Sequence, residues 1–250
     1  MVIQVIGQAG AGKTALAAEL SDRINGIHIN ADNVRADLNK DLGFTPEDRI
    51  ENARRLGALA RLLSAQGQIV VIDFICPTNE TRVAFGKPDH LVWVNRIKEG
   101  RFEDTNKMWQ DPTDVDLEIK FGLTVEEEVQ LVIKQFDLPD WKKPTTLMLG
   151  RYQPWHEGHQ KLKEKADERT GQTVIAVRNT QGTSEKDPLS YQEVVEFISS
   201  NGVSKPFAIK VPNITNIVYG RDVGYKIEQI DLGAEVHAIS ATQKRKELGI

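Results

Sequence analysis

The sequence predicts an α/β chain of two parallel-sheet domains, each with helices on both faces of its sheet to make three layers. Two segments carry this prediction, because each is a short apolar run that ends at a glycine and precedes a helical pattern. They are Val2–Ile6 before Gly7, and Thr146–Leu149 before Gly150. The continuous apolar run Gln68–Phe74 adds a strand of the kind that parallel sheets bury on both faces.

A charged segment with two prolines separates the two halves of the chain. This segment, Leu138–Pro144, has the composition of a linker. We therefore expect one domain over residues 1–140, a linker over 141–144 and a second domain over 145–250.

The other elements follow from apolar periodicity and from helix-start residues. In the first half we expect helices from Lys13, over Pro46–Gln66 and from Thr124, and strands at Ile27–Ile29 and Leu91–Val94. The polar segment Glu99–Lys120 is expected to form a mobile flap. In the second half we expect helices from about Gly158, over Ser190–Ile198 and at the basic C-terminus, and strands at Thr173–Val177 and Glu235–Ile239.

Composition is that of a globular protein, with 40% hydrophobic and 27% charged residues and a net charge of −4. No apolar stretch is long enough to span a bilayer, no signal peptide is evident, and a lone cysteine, Cys76, excludes an intramolecular disulfide. A cytoplasmic protein is expected. Neither half has the dense basic stripe of a nucleic-acid binder. We expect small anionic, nucleotide-like substrates and no nucleic-acid or membrane partner, and a homo-oligomer stays open.

The first motif is a complete GxxxxGK[ST] sequence between a strand and a helix. Its residues are Gly7, Gln8, Ala9, Gly10, Ala11, Gly12, Lys13 and Thr14. Glycines let consecutive backbone N–H groups turn toward a polyphosphate, and the helix N-terminus adds its positive end. Lys13 is expected at the β- and γ-phosphates of ATP, and Thr14 at Mg²⁺.

Three segments after this motif resemble adenylylsulfate (APS) kinase: Asn30–Arg35, Asp41–Phe44 and Asp48–Arg55. The resemblance is strong over about residues 1–85 and looser over 86–137. It implies a P-loop kinase fold, ATP as phosphoryl donor and APS as the first candidate acceptor. The implied roles are general base for Asp32, substrate contacts for Arg35, Arg49 and Asn52, and adenine stacking for Phe44.

Interpretations without a role in function are also open for some of these residues. Three arginines on a predicted helix, Arg54, Arg55 and Arg61, are expected to be solvated or paired. A lone phenylalanine such as Phe44 is more often part of the hydrophobic core than a stacking platform. Asp32 and Arg35 are three residues apart and could form an ion pair on a helix surface.

The sequence also departs from the family. Asn30 replaces a usual Asp, Cys76 replaces the serine of a Ser-Pro pair, and the basic lid over residues 96–107 is altered. Asp73, atypical of the family, is placed like the carboxylate that positions Mg²⁺ in other P-loop enzymes. These departures leave the acceptor open.

A second motif, Gly150–His159, follows the strand that begins the second domain. Two imidazoles at a helix N-terminus, His156 and His159, suit the stabilisation of charge on a phosphate under attack. The motif resembles the (H/T)xGH signature of the nucleotidyltransferase superfamily, and Ile239–Arg245 resembles its ISxTxxR segment. The resemblance implies a Rossmann-like fold, catalytic roles for His156 and His159, and ATP or CTP as substrate. It also implies nucleotide contacts, at Gly150, Arg151, Lys186, Ser240, Thr242 and Arg245.

Together the motifs predict a bifunctional enzyme. The first domain would phosphorylate a hydroxyl of a small nucleotide-like substrate, and the second would transfer a nucleotidyl group and release pyrophosphate. Alternatives stay open: a kinase whose second domain only binds nucleotide or assembles, a nicotinamide-mononucleotide-type adenylyltransferase fused to a kinase of other specificity, and a polynucleotide kinase. Metal binding by the two histidines also stays open. His28 and His90 are expected to be structural, and His237, on the last predicted strand, has no evident role.

Overall fold

A computed structural model of the chain describes residues 1–180, 182–218, 220–221, 224, 226–234 and 239–249. The chain divides into two compact units, unit 1 (Met1–Trp141) and unit 2 (Lys142–Ile250). Among the described residues, no helix is both long and apolar enough to cross a membrane.

Unit 1 contains a five-stranded parallel sheet in the order β2-β3-β1-β4-β5. Its strands are β1 (Val2–Ile6), β2 (Ile27–Asn30), β3 (Val70–Phe74), β4 (His90–Asn95) and β5 (Leu117–Lys120). Its helices are α1 (Lys13–Arg23), α2 (Ala31–Asp37), α3 (Pro46–Ala65), α4 (Asn79–Phe85), α5 (Glu103–Met108) and α6 (Val125–Gln135).

Apolar side chains bury both faces of this sheet. One cluster joins Leu20 of α1 and Val132 of α6 to strand residues, and another joins Leu56 of α3 and Phe85 of α4 to the opposite face. β1 is buried along its whole length, as a central parallel strand must be. Unit 1 therefore has three layers, with the carboxyl ends of its strands at one edge.

The segment expected to be a flap, Glu99–Lys120, contains regular structure instead. It includes α5 and the edge strand β5, which pairs in parallel with β4. β5 is only four residues long and alternates apolar with charged residues, with Ile119 alone fully buried, so its sequence signal is weak. Asp116 anchors it by accepting a hydrogen bond from the Leu91 backbone N–H at 2.7 Å.

Unit 2 contains a three-stranded parallel sheet in the order β6-β7-β8 among its described residues. The strands are β6 (Thr146–Gly150), β7 (Thr173–Arg178) and β8 (Ala208–Val211), and the helices are α7 (Glu157–Thr170), α8 (Tyr191–Ser200) and α9 (Ala241–Leu248), with a 3₁₀ turn at Lys205–Phe207. β8 was not expected from the sequence, because four residues at an edge carry little periodicity. Residues 235–238, which hold His237 and most of a predicted strand, lie outside the described residues.

Candidate functional sites

The GxxxxGK[ST] motif forms the turn between β1 and α1. A side chain on Gly7 would lie 2.4 Å from the carbonyl oxygen of Val94, and Gly12 adopts a left-handed conformation with φ of 96°, so both positions require glycine. The Lys13 ammonium donates a hydrogen bond to the Gln8 carbonyl at 3.0 Å across this turn. Burial lowers the pKa of Lys13, and the nearby carboxylates of Asp73 and Asp32 oppose that shift.

A cavity of about 1120 Å³ opens at the carboxyl edge of the sheet in unit 1. It brings together most of the residues that the sequence singled out in this half. Lining it are Ala9, Gly10, Gly12, Lys13, Thr14, Asp32, Arg35, Phe44, Arg49, Asn52 and Asp73, with Arg101, Phe102 and Asp104 from the segment after β4. The phosphate cradle and the acceptor residues implied by the resemblance therefore share one cavity.

Oxygen atoms at the end of β3 and the start of α1 are arranged to suit Mg²⁺. Asp73, which is 2% exposed, accepts a hydrogen bond from the Thr14 hydroxyl at 2.7 Å. The same carboxylate lies 2.7 Å from His28 Nε2 and accepts longer bonds from the Asn30 amide. A hard cation that takes one or two protein oxygens and completes its shell with phosphate and water fits this donor pair.

His28 was expected to be structural, yet it contacts the carboxylate of this pair. The contact depends on strand register, because His28 pairs with Val71, two residues before Asp73, on the adjacent strand β3. Contacts that depend on strand register are not visible in local sequence.

The acceptor side of the cavity is built on α2, α3 and the loop between them. The ring of Phe44 is 65% exposed, and the guanidinium carbons of Arg35 and Arg49 lie 4.8 Å and 5.5 Å from its centroid. Asn52 is buried and accepts a hydrogen bond from the Asn39 amide at 2.9 Å. Phe44 is therefore an open aromatic platform flanked by two cations.

Other arginines of this half are held away from the cavity. Arg54 and Arg55 pair with Glu51, and Arg55 also pairs with Asp41. Arg61 donates to the carbonyl oxygen of Phe85. These contacts agree with the expectation that the three side chains are solvated or paired.

Asp32 lies in the first turn of α2, where its backbone N–H donates to the Asn30 side chain at 3.1 Å. In the described part of the chain, no side chain hydrogen bonds its carboxylate, which lines the cavity. This leaves the carboxylate free to accept a proton from a bound hydroxyl.

The histidine pair of unit 2 lies at the start of α7. The rings of His156 and His159 stack with centroids 3.8 Å apart, and Tyr152 and Trp155 pack against His159. Burial lowers the pKa of both histidines, to about 3 for His159, where the neighbouring His156 adds to the shift. His156 Nδ1 is buried without a hydrogen-bond partner among the described residues. Such an atom suits a ligand that supplies the missing bond.

The C-terminal helix α9 lies against this turn. Arg245 donates to the Gln153 carbonyl at 2.7 Å and to the Thr242 hydroxyl at 3.2 Å, while Ser240 caps the helix by accepting from the Gln243 N–H. Unit 2 thus brings its two sequence motifs together.

The other nucleotide contacts implied for unit 2 are less clearly arranged. The Arg151 guanidinium pairs with Asp187 at 3.1 Å, so its charge is already matched. Lys186 is exposed on the turn beside it. Gly150 ends β6, and the Tyr152 ring occupies the space that a side chain there would need.

No cluster of three or more metal-ligating side chains occurs in the described ranges. The histidine pair has therefore no third protein ligand there, and a structural zinc site needs four.

Known proteins are similar to the N-terminal part of the chain. Residues 1–88 match the family model described as adenylylsulphate kinase. The chain is 46% identical over 87 residues to the bifunctional enzyme NodQ of Rhizobium meliloti (strain 1021), covering 32% of this chain and 13% of that protein. It is 41% identical over 88 residues to adenylyl-sulfate kinase 3 of Arabidopsis thaliana, covering 33% of this chain and 42% of the relative.

Among solved structures, the Mycobacterium tuberculosis APS kinase CysC in complex with AMPPNP and APS is similar at 24% identity and a TM-score of 0.48. That alignment covers 54% of this chain and 96% of the other. The chain spans less than half the length of the curated relatives named above.

The family model and the curated relatives support the predicted likeness of the N-terminal part to an APS kinase P-loop domain. The family match ends at residue 88, so it carries no information on unit 2.

Proposed function

We propose that unit 1 transfers the γ-phosphoryl group of ATP to a hydroxyl of a small nucleotide-like substrate, with adenylylsulfate as the first candidate. The observation that carries this proposal is the shared cavity, in which the phosphate cradle and Asp32, Arg35, Phe44 and Asn52 meet. The similarity of the N-terminal part to adenylyl-sulfate kinases supports the same acceptor.

The residues have distinct roles in this reaction. Backbone N–H groups of the cradle and Lys13 hold the phosphates, and the charge of Lys13 stabilises the group in transfer. Thr14 and Asp73 would hold Mg²⁺, which when bound neutralises phosphate charge. Asp32 accepts the proton of the attacking hydroxyl, and the exposed Phe44 ring stacks on the base of the acceptor.

The kinase test compares wild type with Asp32→Asn. We expect wild type to form ADP in the presence of adenylylsulfate, whereas Asp32→Asn binds ATP normally but loses turnover by about 10²-fold or more, since it cannot take the proton. Asp37→Asn, on the exposed far end of the same helix α2, is the matched control and should keep full activity. Mononucleotides and 5′-hydroxyl oligonucleotides serve as competing acceptors. Equal turnover in Asp32→Asn removes this residue as the base, and preference for another acceptor removes adenylylsulfate.

We also propose that unit 2 transfers a nucleotidyl group from ATP or CTP to a small phosphate or sulfate. The stacked histidine pair at the start of α7, with Arg245 of α9 beside the same turn, supports this proposal. Neutral imidazoles that donate hydrogen bonds would stabilise charge on the α-phosphate, and Arg245 would contact the outer phosphates.

Pyrophosphate release tests the second activity. The full chain is incubated with each nucleoside triphosphate and with sulfate, nicotinamide mononucleotide or another phosphate acceptor. We expect release with one of these pairs and a loss of about 10²-fold or more in His159→Ala, because a donor at the reacting phosphate is removed. No release by wild type with any pair would leave unit 2 as a nucleotide-binding or assembly module and overturn the proposal.

A further inference from the structure

Two arginines that follow β4, Arg96 and Arg101, bring their guanidinium groups to the phosphate cradle, where the motifs assigned a role to neither. Arg101 follows β4 and lines the cavity together with Gly10 and Lys13. A side-chain carbon on Gly10 would lie 3.0 Å from Arg101 Nε, so the Arg101 side chain passes directly over the cradle.

Among the described residues, the charge of Arg101 has no carboxylate partner, unlike the charges of Arg49 and Arg96 nearby. Arg49 pairs with Asp104 at 2.5 Å and donates to the Phe44 carbonyl, and Arg96 pairs with the buried Glu128. Throughout the described residues, no carboxylate or other acceptor contacts the Arg101 guanidinium. A cation held beside a phosphate cradle without a counter-charge is suited to an anionic ligand in that cradle.

The backbone around Arg101 is tied to the cradle. Its N–H donates to the carbonyl oxygen of Ala9 at 3.1 Å. The preceding Gly100 approaches Ala9 so closely that a side-chain carbon would lie 2.8 Å from the Ala9 nitrogen. The Asn106 side chain in α5 bonds both the N–H and the C=O of Gly100, at 2.8 Å and 3.0 Å. Arg101 is therefore placed by the backbone, as a residue must be to act with defined geometry.

We propose that Arg101 contacts the γ-phosphoryl group of ATP and stabilises its charge during transfer, an inference that rests on the proposed phosphoryl-transfer function of unit 1. In that step the bond between the γ-phosphorus and the β,γ-bridging oxygen breaks, and a bond to the acceptor oxygen forms. ADP leaves with the electron pair of the broken bond, and Asp32 takes the acceptor proton. The planar guanidinium can donate two parallel hydrogen bonds to the oxygens of the phosphoryl group during its transfer.

Nucleotide binding provides a test that does not need an acceptor. Calorimetry with Mg²⁺ compares a non-hydrolysable ATP analogue with ADP, for wild type, Arg101→Ala and Arg101→Lys. We expect Arg101→Ala to weaken binding of the ATP analogue by about tenfold and that of ADP by less than about threefold, because ADP lacks the contacted group. Arg101→Lys should recover part of the lost affinity for the ATP analogue, since lysine keeps the positive charge but not the paired N–H donors of the guanidinium.

Lys107→Ala is the control, because this cation lies in α5 of the same segment but pairs with Glu103 and is 74% exposed. It should bind both nucleotides as wild type does. With an active acceptor, Arg101→Ala should also lower turnover by about 10²-fold or more. Wild-type affinity of Arg101→Ala for the ATP analogue, or equal weakening of both nucleotides, would overturn the proposal. Failure of wild type to transfer phosphate to any acceptor would remove the proposed function but leave the binding test decisive.

Discussion

The two histidines of unit 2 differ in what their ring atoms can do. His159 Nδ1 accepts a hydrogen bond from the His156 backbone N–H at 3.3 Å, so in the neutral ring the proton lies on Nε2. Because burial lowers the pKa of His159 to about 3, that ring stays neutral at physiological pH. His159 is therefore a directed hydrogen-bond donor and not a cation.

Burial also decides the chemistry of the one cysteine. Cys76 lines the cavity of unit 1, but burial raises its pKa to about 12, and its sulfur contacts the side chains of Gln4 and Thr81. A thiol in this state is not a nucleophile at neutral pH. Cys76 thus contributes packing where the resembled family has serine.

Relative to the APS kinase pattern, a carboxylate is missing at the end of β2 and an additional one is present at the end of the neighbouring strand β3. Asn30 stands where the pattern has Asp, and its register partner on β3 is Asp73, which is atypical of the pattern. The Asn30 amide lies 3.3 Å from the same Thr14 hydroxyl that bonds Asp73. A carboxylate at either position would reach Thr14. Asp73 on β3 can therefore replace the missing β2 carboxylate as the partner of the Thr14 hydroxyl.

We therefore predict that a carboxylate at position 30 can replace the one at position 73. Asp73→Asn should lower phosphoryl transfer by at least about tenfold and raise the Mg²⁺ concentration needed for half-maximal rate, because a charged oxygen ligand is lost. Adding Asn30→Asp should recover much of the rate, and the new Asp would still cap α2. Magnesium titrations of the transfer rate measure both effects. Glu80→Gln, an exposed change in α4, is the control, and a double variant no faster than Asp73→Asn would refute this prediction.

Much of the fold was predictable, because parallel strands buried on both faces carry long apolar runs. β1, β3 and β4 lie at or within a few residues of their expected ranges, and α3 ends one residue earlier than expected. β5 and β8 were missed because both are four-residue edge strands whose pairing, and not their composition, defines them.

The site of unit 1 was predictable where function depends on residue type at fixed spacing, as in the cradle that ends at Lys13 and Thr14. It was not predictable where function depends on register or on a loop meeting a distant turn. His28 beside Asp73 is the first case, and Arg101 over Gly10 is the second. Both contacts join residues more than 40 positions apart, which local sequence cannot indicate.

At the scale of the whole molecule, each candidate site lies within one compact unit. We therefore predict that the two activities can be lost separately in the full chain. Lys13→Ala should lower phosphoryl transfer by several orders of magnitude, since it removes charge at the transferring group, and should leave pyrophosphate release within about twofold. His159→Ala should have the converse effect. Both rates are measured on the same preparation of each variant, with Arg54→Ala, whose side chain is paired on the surface of α3, as the control. If Lys13→Ala abolished both reactions, ATP bound at the cradle would have to serve both, and the assignment of a second nucleotide site to unit 2 would be wrong.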